Sequence, residues 1–261
     1  MTIGRLKLTI VAVLSTIFVP MTGSTDELSM MSFTNECVDC DLSNRDLQQV
    51  DFSGTRLKNV DFSGSNLQGA DFSRVQFTWG KISGANFRGA NFADSAILLD
   101  NEFQDDVDFR EVNLQSSFRG RTLGSPSGIV IIGKFRNSML DGANFTGAKV
   151  ELVGEGISAR STNFSGVSPR RHSTSDRTLD INDSDFEGAD FSTSRLERSR
   201  FLNTNLKDTD FTDSVLMSID FSGSDLSRAN FKGAILIDAD LGDAIMCGTI
   251  SPDGDLLYIG C

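Results

Sequence analysis

The apolar residues of this chain recur with a period of five. A large apolar residue, mostly Leu or Phe, stands at every fifth position through two long arrays, and the residue before it is mostly Asp or Asn. A small residue usually stands two positions before it, and Ser, Thr or Gly often follows it. The first array is Leu42, Leu47, Phe52, Leu57, Phe62, Leu67, Phe72, Phe77, Ile82, Phe87, Phe92 and Ile97, and the second is Ile181, Phe186, Phe191, Leu196, Phe201, Leu206, Phe211, Leu216, Phe221, Leu226, Phe231, Leu236, Leu241 and Met246.

This period indicates a coiled chain with flat sides. It matches neither the 3.6-residue period of an α-helix nor the two-residue period of a plain strand. It fits a coil in which each unit forms one short side and then turns a corner, with the central apolar side chain and the small residue before it pointing inward. Asp and Asn suit the corners because their side chains can bond neighbouring backbone groups. The chain is therefore predicted to be all-β.

The spacing of identical centres predicts four sides to each turn. Residues that stack above one another should be alike, and at a spacing of 20 residues Phe191, Phe211 and Phe231 align. A spacing of 15 places Leu206 above Phe191, so three sides are disfavoured. A spacing of ten fits the second array equally well, but two short sides could not enclose a core. The prediction is a quadrilateral β-helix.

Several units resemble the repeat of a known family. Ala-Asn-Phe-Arg-Gly at 85–89 and Ala-Asp-Phe-Ser-Thr at 189–193 are similar to the Ala-(Asp/Asn)-Leu-x-x motif of pentapeptide-repeat proteins, and the resemblance covers most of residues 37–246. It implies a right-handed, four-sided β-helix. The flanks at 37–42 and 251–261 are similar to the ends of exported members from cyanobacteria and thylakoid lumens.

The N-terminus is typical of an export signal. Arg5 and Lys7 precede an apolar stretch from Leu8 to Val19, which is followed by Pro20 and small residues. A cationic start, a short apolar stretch and a small-residue zone describe a cleavable signal peptide. The stretch is shorter than the roughly 20 residues of a membrane-spanning helix, although an uncleaved anchor is the alternative and the only expected membrane contact. The predicted location is the periplasm, a thylakoid lumen or the extracellular space.

The domain organisation follows from these boundaries. Residues 1–24 are predicted to be the signal peptide, 25–36 a short N-terminal cap, 37–246 the repeat and 247–261 a C-terminal cap. The period slips within 98–180, which is interpreted as irregular coils, while two separate solenoids remain the alternative. Gly128 to Lys134 is expected to form a strand or a protruding hairpin, and Ser168 to Arg177 a cationic loop.

The four cysteines are predicted to form two disulfides, one at each end. The repeat spans about ten coils, and strands about 4.8 Å apart give a rod roughly 50 Å long. Cys40 and Cys247 would then lie beyond the ~7 Å Cα limit for a disulfide. The remaining pairs are Cys37–Cys40 and Cys247–Cys261, which suit an oxidising compartment. A redox site or half a zinc site at Cys37–Cys40 is disfavoured by the context.

Composition argues against catalysis and nucleic-acid binding. The formal net charge is -12, whereas a nucleic-acid partner needs clustered Lys and Arg. The chain has a single histidine, His172. This excludes metal sites built on a pair of histidines and argues against most acid–base catalysis. Most Asp residues stand at the corner position that the repeat itself requires. We therefore expect no enzyme activity, no cofactor and no metal.

Two outward apolar patches are the candidate interaction sites. The first comprises Val215 and Ile235, one turn apart, with Met217 and Ile237 beside them. Exposed patches of this kind often mark interfaces, although the segment from Leu256 to Ile259 could instead fold back and cover this one. The second patch comprises Trp79, Leu98 and Leu99.

Two functions are compatible with these features. The first is an exported, non-catalytic scaffold that binds an unknown protein partner or a second copy of itself as a dimer. The second is implied by the resemblance: some acidic pentapeptide-repeat proteins mimic DNA and bind the topoisomerase gyrase, protecting it from inhibitors. Gyrase is cytoplasmic, so the signal-like N-terminus and the paired cysteines favour the scaffold.

Overall fold

The computed structural model describes residues 35–114, 130–169 and 178–261. Their regular elements are all strands, and no helix occurs among them. The predicted signal peptide, almost all of the predicted N-terminal cap and most of the predicted cationic loop lie outside the described residues. The strands are β1 (Glu36–Val38), β2 (Arg56–Lys58), β3 (Gln76–Gly80), β4 (Ala96–Asp105), β5 (Val130–Arg136), β6 (Lys149–Glu155), β7 (Ser168–Pro169), β8 (Leu179–Asn182), β9 (Arg195–Glu197), β10 (Arg200–Leu202), β11 (Val215–Met217), β12 (Ile235–Ile237), β13 (Met246–Ile250) and β14 (Leu256–Ile259).

The strands stack in parallel with a repeat of 20 residues. Cys37 lies opposite Leu57, and Leu57 lies opposite Phe77. In the regular turns, single bridges on the other sides keep the same step, for example between Asp41 and Asp61, whereas the step varies in the irregular middle, for example between Asp108 and Met139. Because one turn takes 20 residues and each side takes five, the chain forms a four-sided β-solenoid of about nine turns. The predicted fold class is confirmed, and the number of turns is close to the ten expected.

The core is a set of inward columns made by the centres of the five-residue units. Phe52, Phe72 and Phe92 are stacked in one column, with ring centroids 4.7 and 4.6 Å apart. All three are fully buried, as is Ala70, which stands two positions before a centre. Stacked rings at these distances add to the free energy gained from burial. The large and small inward positions are therefore those that the sequence predicted.

Corners with Asp or Asn before the centre are closed by a side chain and by a left-handed residue. The Asp51 carboxylate accepts a hydrogen bond from the backbone N–H of Ser53 at 2.8 Å, and Asp61 does the same for Ser63. The next position has a positive φ, as at Gly54, and glycine, Asn and Asp adopt this conformation most readily. The corner after a centre therefore uses a residue that tolerates positive φ, and Asp or Asn before the centre adds a side-chain bond on the sides that have one; the strands at Leu57 and Leu216 form with Arg56 and Val215 there instead.

The irregular middle has longer strands. β4, β5 and β6 pair in parallel with one another, and β6 continues the pairing to β7 and β8. One sheet thus connects β1 to β10 through the described residues. The apolar run from Gly128 to Lys134 was expected to form a strand or a protruding hairpin. Its described part belongs to β5, which is stacked between two neighbouring strands, so the hairpin alternative is wrong.

The two ends carry the cysteine pairs and one antiparallel hairpin. Cys37 is bonded to Cys40 and Cys247 to Cys261, with Cα atoms 5.9 and 5.5 Å apart. At the C-terminus, β13 and β14 form the hairpin. No helix that is long and apolar enough to cross a membrane occurs among the described residues.

Candidate interaction surfaces

The first predicted patch lies on a sheet near the C-terminal end. β9, β11 and β12 form this three-stranded sheet, in which Val215 lies opposite Ile235 and Met217 opposite Ile237. Val215 and Met217 are half-buried, whereas Ile235 is 53% and Ile237 43% exposed. These four side chains stand on the outer surface because they flank the inward residues Leu216 and Leu236. We call them the C-terminal strip.

The C-terminal hairpin leaves the C-terminal strip uncovered. β14 pairs with β13 and is not paired with β12. Its own apolar residues Leu256, Tyr258 and Ile259 are exposed, with Tyr258 at 69%. The expected alternative, in which Leu256 to Ile259 cover the strip, therefore does not describe this structure. The hairpin instead adds further apolar surface at the same end of the molecule.

The second predicted patch is smaller than the sequence indicated. Trp79 is 53% exposed and Leu98 is half-buried, but Leu99 is only 2% exposed, so its predicted outward position is wrong. The register of β3 and β4 shifts between Thr78 and Gly80, so that Leu98 pairs with Thr78 and Leu99 with Gly80. A bulge of this kind reverses which face the following side chains occupy. Leu99 consequently belongs to the core.

Gly80 makes room for this bulge. A Cβ atom at Gly80 would lie 2.0 Å from Cε2 of the Phe77 ring, so a side chain there would clash with the core. Trp79 itself has a φ of 61°, a conformation that bulky residues rarely adopt. It follows that an exposed aromatic side chain is held at a tightly packed bulge.

Charged residues on the outer faces are paired between successive turns. Nε and Nη2 of Arg228 donate to the carboxylate of Asp208, 20 residues earlier, and Arg200 donates to Asp180 in the same way. The hydrogen bond from Arg228 lowers the pKa of Asp208 below its usual value. Such exposed pairs contribute little stability each.

An open polar groove of about 640 Å³ is lined by residues that include Asp141, Arg160 and Asp185. Ser158 donates to Asp141 at 2.6 Å, and Arg160 donates to Asp185 at 2.6 Å. Its charged groups therefore bond one another, which does not favour a catalytic role. In the residues that the structure covers, no three His, Cys, Asp or Glu side chains are grouped to hold a metal ion. His172 lies outside these residues.

The repeat matches a family model along half of the chain. Eight copies of the pentapeptide repeat are matched over residues 36–74, 70–96, 180–213 and 214–250. The chain belongs to the pentapeptide-repeat family. The matched segments flank the irregular middle, where the five-residue period slips.

Solved structures of other pentapeptide-repeat proteins are similar to this chain. HetL from Nostoc sp. strain PCC 7120, described as involved in heterocyst differentiation regulation, is 18% identical with a TM-score of 0.61 over 91% of this chain and 100% of its own. A trypsin-treated form of QnrB1, a plasmid-mediated fluoroquinolone resistance protein, is 19% identical with a TM-score of 0.38 over 80% and 90%. A thylakoid-lumen protein of Arabidopsis thaliana is 21% identical with a TM-score of 0.27 over 57% and 77%. At these identities the likeness to HetL shows the fold alone. No curated protein sequence matches the chain.

The open C-terminal end of this pentapeptide-repeat solenoid was not anticipated. Leu216 and Phe221 are fully buried, but Leu236 and Leu241, one turn later, are only half-buried. The sequence contained one relevant signal, since Leu256 follows Leu236 by the usual 20 residues. That spacing predicts another stacked turn, whereas the structure places Leu256 in the antiparallel hairpin. Leu236 and Leu241 therefore have a turn stacked below them and no turn stacked above them.

Proposed function

We propose that this pentapeptide-repeat protein is an exported, non-catalytic scaffold that binds a protein partner or a second copy of itself. The observation that carries the proposal is the C-terminal strip, an apolar surface on a regular parallel sheet next to the exposed apolar residues of the C-terminal hairpin. Val215, Met217, Ile235 and Ile237 are held in register by parallel pairing of β11 and β12. A prearranged surface loses little conformational entropy on binding, which favours affinity.

Export is supported by the cysteines and by the N-terminal sequence. Both cysteine pairs are within bonding distance, and structural disulfides are typical of oxidising compartments. The cationic and apolar start of the chain has the pattern of a signal peptide. The two observations are independent, because one concerns residues 5–24 and the other the two ends of the repeat.

The location of the protein tests the export proposal. In the producing cell, a C-terminally tagged chain should fractionate with an exported compartment, begin near residue 25 by N-terminal sequencing, and carry no free thiol. Retention of Met1 in the cytoplasm, with reduced cysteines, would contradict the proposal. The alternative of an acidic DNA mimic that binds a topoisomerase would then be preferred, since the charge of -12 suits it.

A photo-crosslinking experiment tests the scaffold proposal. A photoreactive amino acid at Ile235 should give a discrete crosslinked protein band in living cells. The matched control carries it at Val38, which is also exposed but lies in the first turn. We expect a band from position 235 that is weak or missing from position 38. Equal crosslinking at both positions, or none at 235, would count against the C-terminal strip as the interface.

A further inference from the structure

The last strand of the side that carries the C-terminal strip has a free edge. Within the solenoid, the upper edge of β11 is satisfied by the next turn, since Ile235 N–H donates to Ser214 C=O at 2.8 Å and Ser218 N–H donates to Ile237 C=O at 2.7 Å. The equivalent groups one turn later are the C=O of Ala234 and the N–H of Asp238. Among the backbone hydrogen bonds of the described residues, these two groups have no partner. A strand could therefore be added at this edge.

The core beneath this edge is also incompletely covered. Leu236 is half-buried, whereas Leu216 directly below it is fully buried. Side chains alternate along a strand, so an added strand would bring one side chain over Leu236. Its two neighbours would lie beside Ile235 and Ile237 on the outer surface. Three consecutive apolar residues on the added strand would thus meet apolar surface on both faces.

The charge of this end identifies the kind of partner. Residues 231–261 contain five Asp and one cation, the exposed Lys232. Two such ends placed against each other would bring like charges together, which disfavours a second copy as the occupant. A segment with Lys or Arg on either side of its apolar residues would instead be attracted to the acidic rim. The acidic residues are Asp238, Asp240, Asp243, Asp253 and Asp255.

We infer that β12 receives an extended segment of another protein, with a short apolar centre and basic flanks, as one additional strand of the solenoid. Main-chain hydrogen bonds to an edge strand provide affinity, and alternate side chains provide selectivity. This inference rests on the proposed function and specifies the partner more closely. It also commits the binding surface to the edge of β12, whereas the proposed function requires only the outer face.

The test uses the full chain and a fluorescent peptide, acetyl-Lys-Lys-Val-Leu-Val-Lys-Lys-amide. Fluorescence polarisation should show saturable binding. Replacing the four lysines by glutamates should weaken it at least about tenfold. N-methylation of the first valine, whose N–H would donate to the C=O of Ala234 as the N–H of Ile235 does to Ser214, should do so as well. These two peptides test charge and strand pairing without changing the protein. Equal affinity for all three peptides would overturn the inference.

Protein variants locate the site. Ile235→Lys with Ile237→Lys should weaken binding at least about tenfold, because lysine on an edge strand opposes pairing and repels the basic flanks. Val38→Lys, an exposed aliphatic position at the other end, should leave binding unchanged. Asp238→Asn with Asp243→Asn should weaken binding severalfold, while Asp39→Asn with Asp106→Asn should not. All four Asp positions have positive φ, which Asn tolerates.

Sedimentation velocity tests whether a second copy of the chain, rather than another protein, occupies the edge of β12. A concentration-dependent dimer that Ile235→Lys with Ile237→Lys dissociates would show that a second copy occupies the edge, and would overturn the inference. If all three peptides bind equally but Ile235 still gives the crosslink in cells, the added strand is rejected and the scaffold function is kept. If Ile235 gives no crosslink in cells but the basic peptide still binds and needs Asp238 and Asp243, the scaffold function is rejected and the strand site is kept.

Discussion

Leu216 and Leu236 occupy the same inward column one turn apart, yet only Leu216 is fully buried. The five-residue period alone assigns equal importance to Leu196, Leu216 and Leu236. We predict that Leu216→Ala lowers the free energy of unfolding by about 2–5 kcal/mol, as truncation of a buried leucine does. Leu236→Ala should cost less, because no turn lies above it. Urea unfolding measures both, and equal losses would contradict the open end.

Asp108 is a largely buried carboxylate whose titration should affect stability. Burial raises the pKa of its carboxyl, but hydrogen bonds from the Arg110 side chain and backbone outweigh this effect, and the pKa is lowered overall. A lowered folded pKa stabilises the protein above the unfolded value of about 3.9, and this stabilisation is lost as the pH falls through the folded pKa.

Substitution at Asp108 should therefore have a pH-dependent effect. We predict that Asp108→Asn destabilises the protein at about pH 7, and that the difference from the unsubstituted protein shrinks below about pH 3. Denaturant unfolding at both pH values measures it. Asp106→Asn is the control, since Asp106 is exposed. A difference that does not change with pH would show that the Asp108 carboxylate contributes through packing rather than charge.

The regular turns could be predicted from the sequence, and the bulge could not. In the regular turns, each unit repeats the same inward side chains and the same corner bonds, so position within the five determines burial. Between Thr78 and Gly80 the register shifts, and Leu99 moves into the core. The period contains no information about that shift, because it depends on the space that Gly80 leaves beside Phe77. The place of β14 was predicted only in part: Leu256 to Ile259 were expected to fold back over the C-terminal strip, and they fold back onto β13 instead.

The C-terminal hairpin is expected to depend on its disulfide. Cys247 and Cys261 are separated by 14 residues, and closing a loop of this size stabilises by about 3 kcal/mol in the chain-entropy model. We predict that Cys247→Ser with Cys261→Ser lowers the thermal midpoint and exposes the amides of β13 and β14 to hydrogen exchange. Amides of the central turns, such as those of Phe191 and Phe211, should keep their protection. Unchanged exchange in the hairpin would mean that its packing, rather than the disulfide, holds it.

Stability along the whole solenoid should fall toward its open end. In a repeat protein each turn contacts only its neighbours, so a terminal turn has one interface where an internal turn has two. Here the last turn also has a free strand edge at β12 and a half-exposed Leu236 above fully buried Leu216. Local opening is therefore expected to begin at this end rather than across the whole molecule.

Native-state hydrogen exchange measures this gradient. The N–H of Ile235 donates to the turn below, as the N–H of Val215 does. The two amides therefore make the same hydrogen bond, but a further turn is stacked above Val215 and none above Ile235. We predict that the Ile235 amide exchanges at least about tenfold faster than the Val215 amide. Because an added strand would supply the missing interface, saturation with the basic peptide should slow exchange at Ile235 and leave Val215 nearly unchanged. Equal rates at the two amides without peptide would mean that the solenoid opens as a single unit and that its uncovered last turn is not a weak point.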